Sequence, residues 1–236
     1  MSRQVYLVAT AAGQGTRMAS PLPKQFLTLG DKPILRVTIE KFLEAIPGIK
    51  VITVIPHDRI AYWKDYCQEQ NFTIPQRIVE GGITRFHSVR NAIAHVPDDA
   101  IVAIHDGVRP LVSVNLLRDM VQRMSSCRAL VPVTPSVDTL KAVEAIEDES
   151  GKTLRPIDGV TYDRRKVWGA QTPQMFLSED LKAAYSLPYD PSFTDDASVV
   201  QAKGIPLSYC LGERFNLKIT TPEDLLLAQA VIEKGL

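Results

Sequence analysis

The chain has 236 residues, enough to bury a full core as one α/β domain with or without an extension. Its 27 Lys and Arg residues balance 27 Asp and Glu residues, so no overall positive field draws it onto nucleic acid or an anionic membrane. Its three cysteines are odd in number, far apart and without a CxxC pair, which argues against a disulfide framework and a zinc site.

Short apolar segments alternate with longer amphipathic ones through the first half of the chain. The predicted strands are VYLVA, IKVITVI, RIVEGG and AIVAIHDG, and the predicted helices include PILRVTIEKFLEAI and TRFHSVRNAIAHV. Strands that alternate with helices predict a mostly parallel sheet with right-handed crossovers. Near the end, Thr221, Pro222 and Asp224 form a capping-box pattern that predicts the start of a C-terminal helix.

The first apolar stretch ends in small residues before Gly13. It is far shorter than the roughly 18 to 20 apolar residues that a membrane-spanning helix needs. No charged-then-apolar signal peptide precedes it, so we expect a reducing cytoplasm and no membrane partner.

The regular alternation is interrupted in the range 136–165. Two extended stretches, TLKAVEAI and KTLRPIDGVTYDR, flank a polar acidic turn around Asp148 to Gly151 and predict a long β-hairpin. An isolated two-stranded hairpin is marginally stable in water, so this one must pack on its parent domain or on another subunit. We favour the second subunit, and we treat 1–236 as a single domain with 136–165 as an inserted arm.

A glycine-containing loop follows the first strand, which ends at Thr10. Gly13 and Gly15 let the backbone come close to a ligand. The loop is not a P-loop, because Thr16 and Arg17 stand where Lys and Ser or Thr are required, and it is not a dinucleotide fingerprint, because Met18 replaces the third glycine. Arg17 and Lys24 supply two cations next to this bare backbone, a combination that suits a nucleoside triphosphate.

Several further motifs follow in order along nearly the whole chain: AAGQGTRM, PKQF, EGGITRFHSV, HDGVRP, VDTLK, YDRRKVW, QTPQMF, TDDAS and NLKIT. Together they resemble the 2-C-methyl-D-erythritol 4-phosphate cytidylyltransferases of the non-mevalonate isoprenoid pathway. The resemblance implies a Rossmann-like nucleotidyltransferase fold, with a mostly parallel twisted sheet, helices on both faces and an extended hairpin arm.

The resemblance also implies a reaction: a phosphate oxygen of the alditol phosphate attacks the α-phosphorus of CTP, and pyrophosphate leaves. Residues matching the family's nucleotide site are Ala11, Ala12, Gly13, Gly15, Gly81, Gly82, Arg85, Ser88 and Gly107. Its catalytic cations match Arg17, Lys24, Arg164 and Lys218. Its substrate-binding residues match Asp106, Arg109, Thr139, Arg164, Thr172 and Lys218.

Thr139 and Arg164 fall at the two ends of the predicted hairpin. In the family the arm crosses to the other subunit of a homodimer and completes its active site, so the resemblance implies sites shared between subunits. It also implies Mg²⁺, for which the sequence offers no carboxylate-rich loop. We therefore expect the metal to be carried mainly by the CTP phosphates, with no protein ligand assigned.

Two acidic residues and one histidine near these motifs have competing interpretations. Asp195 and Asp196 suit a helix cap better than an acid near the site. His105 suits a structural role better than that of a general base, because a phosphate monoester is already largely ionised at pH 7.

Three other functions remain open at this point. A ribitol 5-phosphate cytidylyltransferase shares the fold, the glycine loop and QTPQ, although YDR and RFHSV favour methylerythritol phosphate by resemblance. A non-catalytic nucleotide-binding module is disfavoured because it would need fewer cations around the α-phosphorus than the three present here, Arg17, Lys24 and Lys218. An NAD-dependent oxidoreductase is disfavoured by the missing third glycine.

Overall fold

The central sheet is built on strand β1, Gln4–Thr10, in a computed structural model that describes residues 3–13, 18, 20, 22–148 and 151–235. Strand β1 lies parallel between β4, Lys50–Ile55, and β6, Ala100–Asp106, and β4 pairs in parallel with β5, Gln76–Glu80. Strand β6 is buried along its whole length, as expected of a central parallel strand covered on both faces. The register pairs Thr10 with Asp106, so both residues lie at the carboxyl edge of the sheet.

Helices cover both faces of this sheet. Alternate residues of β1 separate the two layers, because Leu7 packs in one apolar cluster with Leu35 and Leu117, whereas Val8 packs in another with Val89. The helices of the described chain are α1 (Ile34–Ala45), α2 (Ile60–Glu69), α3 (Arg85–Ile93), α4 (Val114–Arg123), α5 (Ser178–Tyr185), α6 (Asp196–Ala202) and α7 (Pro222–Glu233). The predicted α/β fold with helices on both faces is confirmed.

The second half of the chain extends the sheet with strands of mixed direction. Strand β11, Gln174–Leu177, runs antiparallel between β6 and β7, Ala129–Pro135. Strand β10, Trp168–Ala170, pairs antiparallel with the end of β7, and β12, Ser208–Leu211, pairs with β7 in parallel. Of the eight strands in this described sheet, only β10 and β11 run against the others, so the sheet is mostly parallel.

Between β7 and β10 the chain forms the predicted hairpin. Strands β8, Lys141–Asp148, and β9, Gly151–Thr161, pair antiparallel in a two-stranded sheet of their own. Residues 149 and 150, at the predicted turn, lie outside the described residues. Apolar side chains on both strands are exposed, among them Val143 and Leu154.

A capping box begins the last helix of the described chain, and a small two-stranded sheet precedes the first helix. Helix α7 begins with the predicted capping box, in which Thr221 and Asp224 bond reciprocally and Pro222 takes the first helical position. Two-residue strands β2, Thr28–Leu29, and β3, Lys32–Pro33, pair antiparallel just before α1. Within the described part of the chain, no helix has the length and apolar character required to cross a membrane.

Candidate active site

A cleft of about 600 Å³ opens at the carboxyl edge of the sheet, beside the ends of β1 and β6. Open α/β sheets bind ligands at this edge. The cleft brings together the predicted residues Ala11, Ala12, Gly13, Lys24, Gly82, Arg85, Ser88, Asp106 and Lys218. The predicted residues Gly15 and Arg17 lie outside the described residues.

Close packing explains why glycine stands at Gly81 and Gly82. A Cβ atom at Gly81 would overlap the Ala12 side chain, and one at Gly82 would overlap the Cβ of His87. These two positions therefore bring the end of β5 into direct contact with the first loop and with α3. Gly13 differs, since a Cβ there would meet no described atom within 4 Å.

Ser88 fixes the glycine pair from the first turns of α3. Its hydroxyl accepts a hydrogen bond from the Gly82 N–H at 3.0 Å and donates one to the Thr84 carbonyl at 3.0 Å. Thr84 is the N-cap of α3. Ser88 thus uses its only proton and one lone pair within the protein, and a second lone pair remains for a donor in the cleft.

Gln25 organises the start of the glycine loop, and the sequence analysis missed it. Its buried amide nitrogen donates to the Ala11 carbonyl at 2.6 Å and to the Gly13 carbonyl at 3.2 Å. By binding both carbonyls, Gln25 fixes the backbone between Ala11 and Gly13. The sequence signal was available: a glutamine directly after Lys24 in PKQF, within a segment that the short 3₁₀ helix Lys24–Phe26 folds against the loop.

Asp106 lies at the centre of a cationic cluster. Its Oδ2 atom is 3.1 Å from Arg109 Nε and 3.1 Å from Lys218 Nζ, and its Oδ1 atom is 3.8 Å from Arg85 Nε. Burial alone would raise the pKa of the Asp106 carboxyl, but Arg85, Lys218 and Arg109 outweigh burial and hold that pKa well below its usual range. Asp106 is therefore ionised at neutral pH and holds the ammonium of Lys218 at the cleft.

Arg85 is anchored on its other side by a buried carboxylate. Its Nη1 and Nη2 atoms donate to the two oxygens of Asp196 at 2.8 and 2.6 Å, and the Tyr185 hydroxyl donates to Asp196 at 2.6 Å. Burial would lower the pKa of the Arg85 guanidinium, but Asp196 raises it well above its ordinary value. Sequence reasoning proposed Arg85 as a nucleotide contact and missed this fixed pairing, because its partner lies 111 positions away in the chain.

The acidic pair of TDDAS divides into two roles. Asp195 is the N-cap of α6, as predicted, and it also forms a capping box with Ser198. Asp196, in the first turn, is the fully buried partner of Arg85. The cap interpretation is confirmed for Asp195 alone.

His105 is fully buried beneath the cleft. Its ring nitrogens lie 3.1 Å from the Arg109 carbonyl and 3.1 Å from the Thr172 hydroxyl. Burial lowers the pKa of His105 to about 4, so the ring is neutral near pH 7. This environment suits the structural role that the sequence favoured.

The remaining predicted residues fall into two groups. Gly107 and Thr172 adjoin the cleft: a Cβ at Gly107 would lie 2.9 Å from Leu35 Cδ1, and the Thr172 hydroxyl accepts a hydrogen bond from the Asp106 N–H at 3.1 Å. Thr139 and Arg164 are exposed at the two ends of the hairpin and do not line the described cleft of their own chain.

The charges around the cleft favour a polyanion. In the described portion of its lining, the three cations Lys24, Arg85 and Lys218 face the single carboxylate Asp106. When Arg109 and the buried Asp196 are counted as well, these described groups comprise four cations and two carboxylates, so a local excess of positive charge lies in a chain whose formal net charge is zero. The cleft is therefore suited to a ligand with several phosphate groups.

Comparisons with known proteins agree with this geometry. The family model of IspD, 2-C-methyl-D-erythritol 4-phosphate cytidylyltransferase, matches residues 5–234. A relative of that name from Bacteroides fragilis is 41% identical over 232 residues, covering 98% of this chain and 100% of its own, and one from Bacteroides thetaiotaomicron is 39% identical over 226 residues, covering 96% and 98%.

Solved structures show the same similarity. The 4-diphosphocytidyl-2C-methyl-D-erythritol synthase of Anaerococcus prevotii superposes with a TM-score of 0.78 at 26% identity, covering 99% of this chain and 100% of its own. The 2-C-methyl-D-erythritol 4-phosphate cytidylyltransferase of Thermus thermophilus superposes with a TM-score of 0.71 at 28% identity, with coverage of 99% and 100%. This chain belongs to the IspD family of 2-C-methyl-D-erythritol 4-phosphate cytidylyltransferases.

Proposed function

We propose that this cytidylyltransferase transfers CMP from CTP to 2-C-methyl-D-erythritol 4-phosphate in the cleft beside β1 and β6, as a step of isoprenoid precursor biosynthesis. The observation that carries this assignment is the convergence of Lys24, Arg85 and Lys218 on the cleft that Gly13 of the glycine loop also lines. Fixed cations beside bare backbone suit a triphosphate that must lose pyrophosphate.

The chemical step needs positioning and charge neutralisation. One oxygen of the acceptor phosphate forms a bond to the α-phosphorus of CTP, and the bond from that phosphorus to the oxygen bridging to the β-phosphate breaks. Pyrophosphate leaves with that bonding electron pair. The acceptor phosphate is largely ionised at pH 7, so no side chain has to remove a proton, and the neutral, buried His105 is not required as a base.

We assign the nucleotide to the side of the cleft formed by the glycine loop and α3. The backbone from Ala11 to Gly13, continuing through Gly15, lies along the triphosphate in this assignment, and Arg17 and Lys24 neutralise the α- and β-phosphates. Gly81, Gly82, Arg85 and Ser88 form the cytosine site, with Arg85 acting mainly as a fixed charge because Asp196 holds its guanidinium. Gly107 lies near the ribose.

We assign the acceptor to the opposite side of the cleft. Asp106 accepts hydrogen bonds from acceptor hydroxyls, Arg109 supports it through the 3.1 Å contact, and Thr172 and Lys218 meet the acceptor phosphate. Thr139 and Arg164 complete this side from the hairpin of a second subunit. Support for a homodimer comes from the hairpin itself, since Leu154 is 66% exposed on a two-stranded sheet that would be marginal alone.

Mg²⁺ fits this site as a companion of CTP. Hard cations prefer oxygen ligands, and Asp106, the one carboxylate in the described lining, is already engaged by Arg109 and Lys218. The triphosphate oxygens would therefore provide most of the ligands of Mg²⁺, and the metal would neutralise further phosphate charge.

We also propose a cytoplasmic location, because Cys67, Cys127 and Cys210 are all free thiols and suit a reducing compartment.

Pyrophosphate release tests the proposed function. Purified protein with CTP and Mg²⁺ should release pyrophosphate with 2-C-methyl-D-erythritol 4-phosphate, but not with ribitol 5-phosphate or without acceptor, and EDTA should stop the release. Release only with ribitol 5-phosphate would overturn the substrate. CTP binding without release in any tube would indicate a non-catalytic nucleotide-binding module.

Ser88→Ala should weaken the preference for CTP over UTP. The free lone pair of Ser88 can accept a hydrogen bond from the exocyclic amino group of cytosine, whereas uracil presents a carbonyl acceptor there. We expect kcat/KM for CTP to fall by about 10- to 100-fold, and by less for UTP. Competition assays with both nucleotides measure the ratio, with Ser125→Ala, an exposed serine just past α4, as control. An unchanged CTP-to-UTP ratio in Ser88→Ala would exclude base recognition by this hydroxyl.

A further inference from the structure

Asn216 connects three segments around the acceptor side of the cleft. It is fully buried and lies two positions before Lys218. Its side-chain nitrogen donates to the Thr172 carbonyl at 2.8 Å and to Gln171 Oε1 at 3.3 Å. Its backbone carbonyl accepts from Arg109 Nη1 at 2.8 Å.

Each of these segments carries a group assigned above to the acceptor. The end of β6 carries Asp106 and Arg109, the segment 171–173 carries Thr172, and the segment after β12 carries Lys218. The Thr172 hydroxyl also accepts from the Asp106 N–H, and Lys218 Nζ contacts the Asp106 carboxylate. A displacement of Asn216 would therefore move Thr172 and Lys218 relative to Asp106.

The nucleotide side is held by different contacts. Gln25 fixes Ala11 and Gly13, and Ser88 fixes Gly82. The hydrogen bonds of Asn216 go to Gln171, Thr172 and Arg109 in the described structure, and none of those bonds reaches the glycine loop. Asp106 contacts Arg85 of the nucleotide side at 3.8 Å, but Arg85 is held by its two shorter bonds to Asp196. A shift of Thr172 and Lys218 should therefore leave the nucleotide side in place.

The amide orientation of Asn216 is also specific. Its nitrogen faces two acceptors, and its Oδ1 atom is buried and accepts no hydrogen bond from any described residue. An aspartate would place a second negative oxygen against the Thr172 carbonyl and Gln171 Oε1. The site thus requires a donor at this position.

We propose that Asn216 is a positioning residue for the acceptor phosphate, setting Thr172 and Lys218 against Asp106 while leaving the nucleotide side unaffected. This inference rests on the proposed function. It predicts a defect for the acceptor with normal nucleotide binding, which a general loss of stability would not produce.

The test compares Asn216→Ala and Asn216→Asp with the wild-type enzyme. We expect KM for methylerythritol phosphate to rise by about tenfold or more, with the larger effect in Asn216→Asp, while the Kd for CTP measured without acceptor stays within about twofold. Asn216→Ser restores a small donor and should recover part of the loss. It also provides the test if Asn216→Ala melts before the assay temperature.

Val96→Ala is the stability control. Val96 follows α3 and is buried in the apolar cluster that contains Val8 and Val89. It should lower the melting temperature without changing the acceptor KM. An unchanged acceptor KM in Asn216→Ala, or a parallel loss of CTP affinity, would overturn the proposal. A wild-type enzyme that is inactive with every acceptor would overturn the proposed function itself. An active wild-type enzyme with an unchanged acceptor KM in Asn216→Ala would overturn only the role of Asn216, so the two failures are distinguishable.

Discussion

Replacing Lys24 with alanine should slow pyrophosphate release at saturating substrates by about 100- to 1,000-fold, since removing one fixed donor to developing charge typically costs that much. Lys24 lines the cleft beside Gly13, where the triphosphate is assigned. Its backbone is held independently of its side chain, because Phe26, two residues later, is buried against Trp63 and Tyr62. We therefore expect a folded, CTP-binding enzyme with little turnover.

Single-turnover rates and melting curves on the same preparation separate these effects. The matched control is Lys50→Ala, an exposed lysine at the start of β4, which lies at the opposite end of the strand from the cleft. It should retain near-normal turnover. If Lys24→Ala matched it in turnover with an unchanged melting profile, Lys24 would have no part in the mechanism.

Several elements of the fold could be predicted because their patterns are local. The apolar segment of β1, the helical spacing of Leu35, Ile39 and Phe42, and the capping box at Thr221 each require only a short stretch of sequence. The insertion of β11 between β6 and β7, reversed in direction, could not be predicted this way. Strand order depends on which buried faces meet, and that information is spread across the chain.

The same distinction separates the predicted and the missed parts of the site. Gly13, Lys24 and Asp106 stand in recognisable motifs at strand ends, so their proximity could be inferred from the parallel sheet. Gln25, Asn216 and Asp196 are polar residues whose importance lies in buried hydrogen bonds to distant partners. Each stands in a motif, PKQF, NLKIT or TDDAS, but those few residues do not reveal which partner each side chain binds.

The position of Thr139 and Arg164 on the hairpin bears on which subunit's cleft they serve. Both are exposed at the base of the hairpin and absent from the described lining of their own cleft. Strands β8 and β9 pair only with one another in the described sheets. If the arm reaches a second subunit, each active site combines Lys24 from one chain with Arg164 from the other.

Heterodimers of an Arg164→Ala chain and a Lys24→Ala chain should regain about half of the wild-type activity per dimer, because a two-fold dimer contains two equivalent sites and one of them is then intact. Each homodimer of either mutant should be nearly inactive. Two affinity tags, one on each chain, allow the heterodimer to be purified, and pyrophosphate release measures its activity.

A reciprocal heterodimer makes the result decisive. When wild-type chain is paired with a chain carrying both Arg164→Ala and Lys24→Ala, a shared-site enzyme has no intact site, because each cleft lacks either its own Lys24 or its partner's Arg164. A cleft that used its own arm would keep one intact site in this dimer and none in the first. The two arrangements thus exchange their active and inactive heterodimers, and an active reciprocal heterodimer beside an inactive first one would show that the arm serves its own chain.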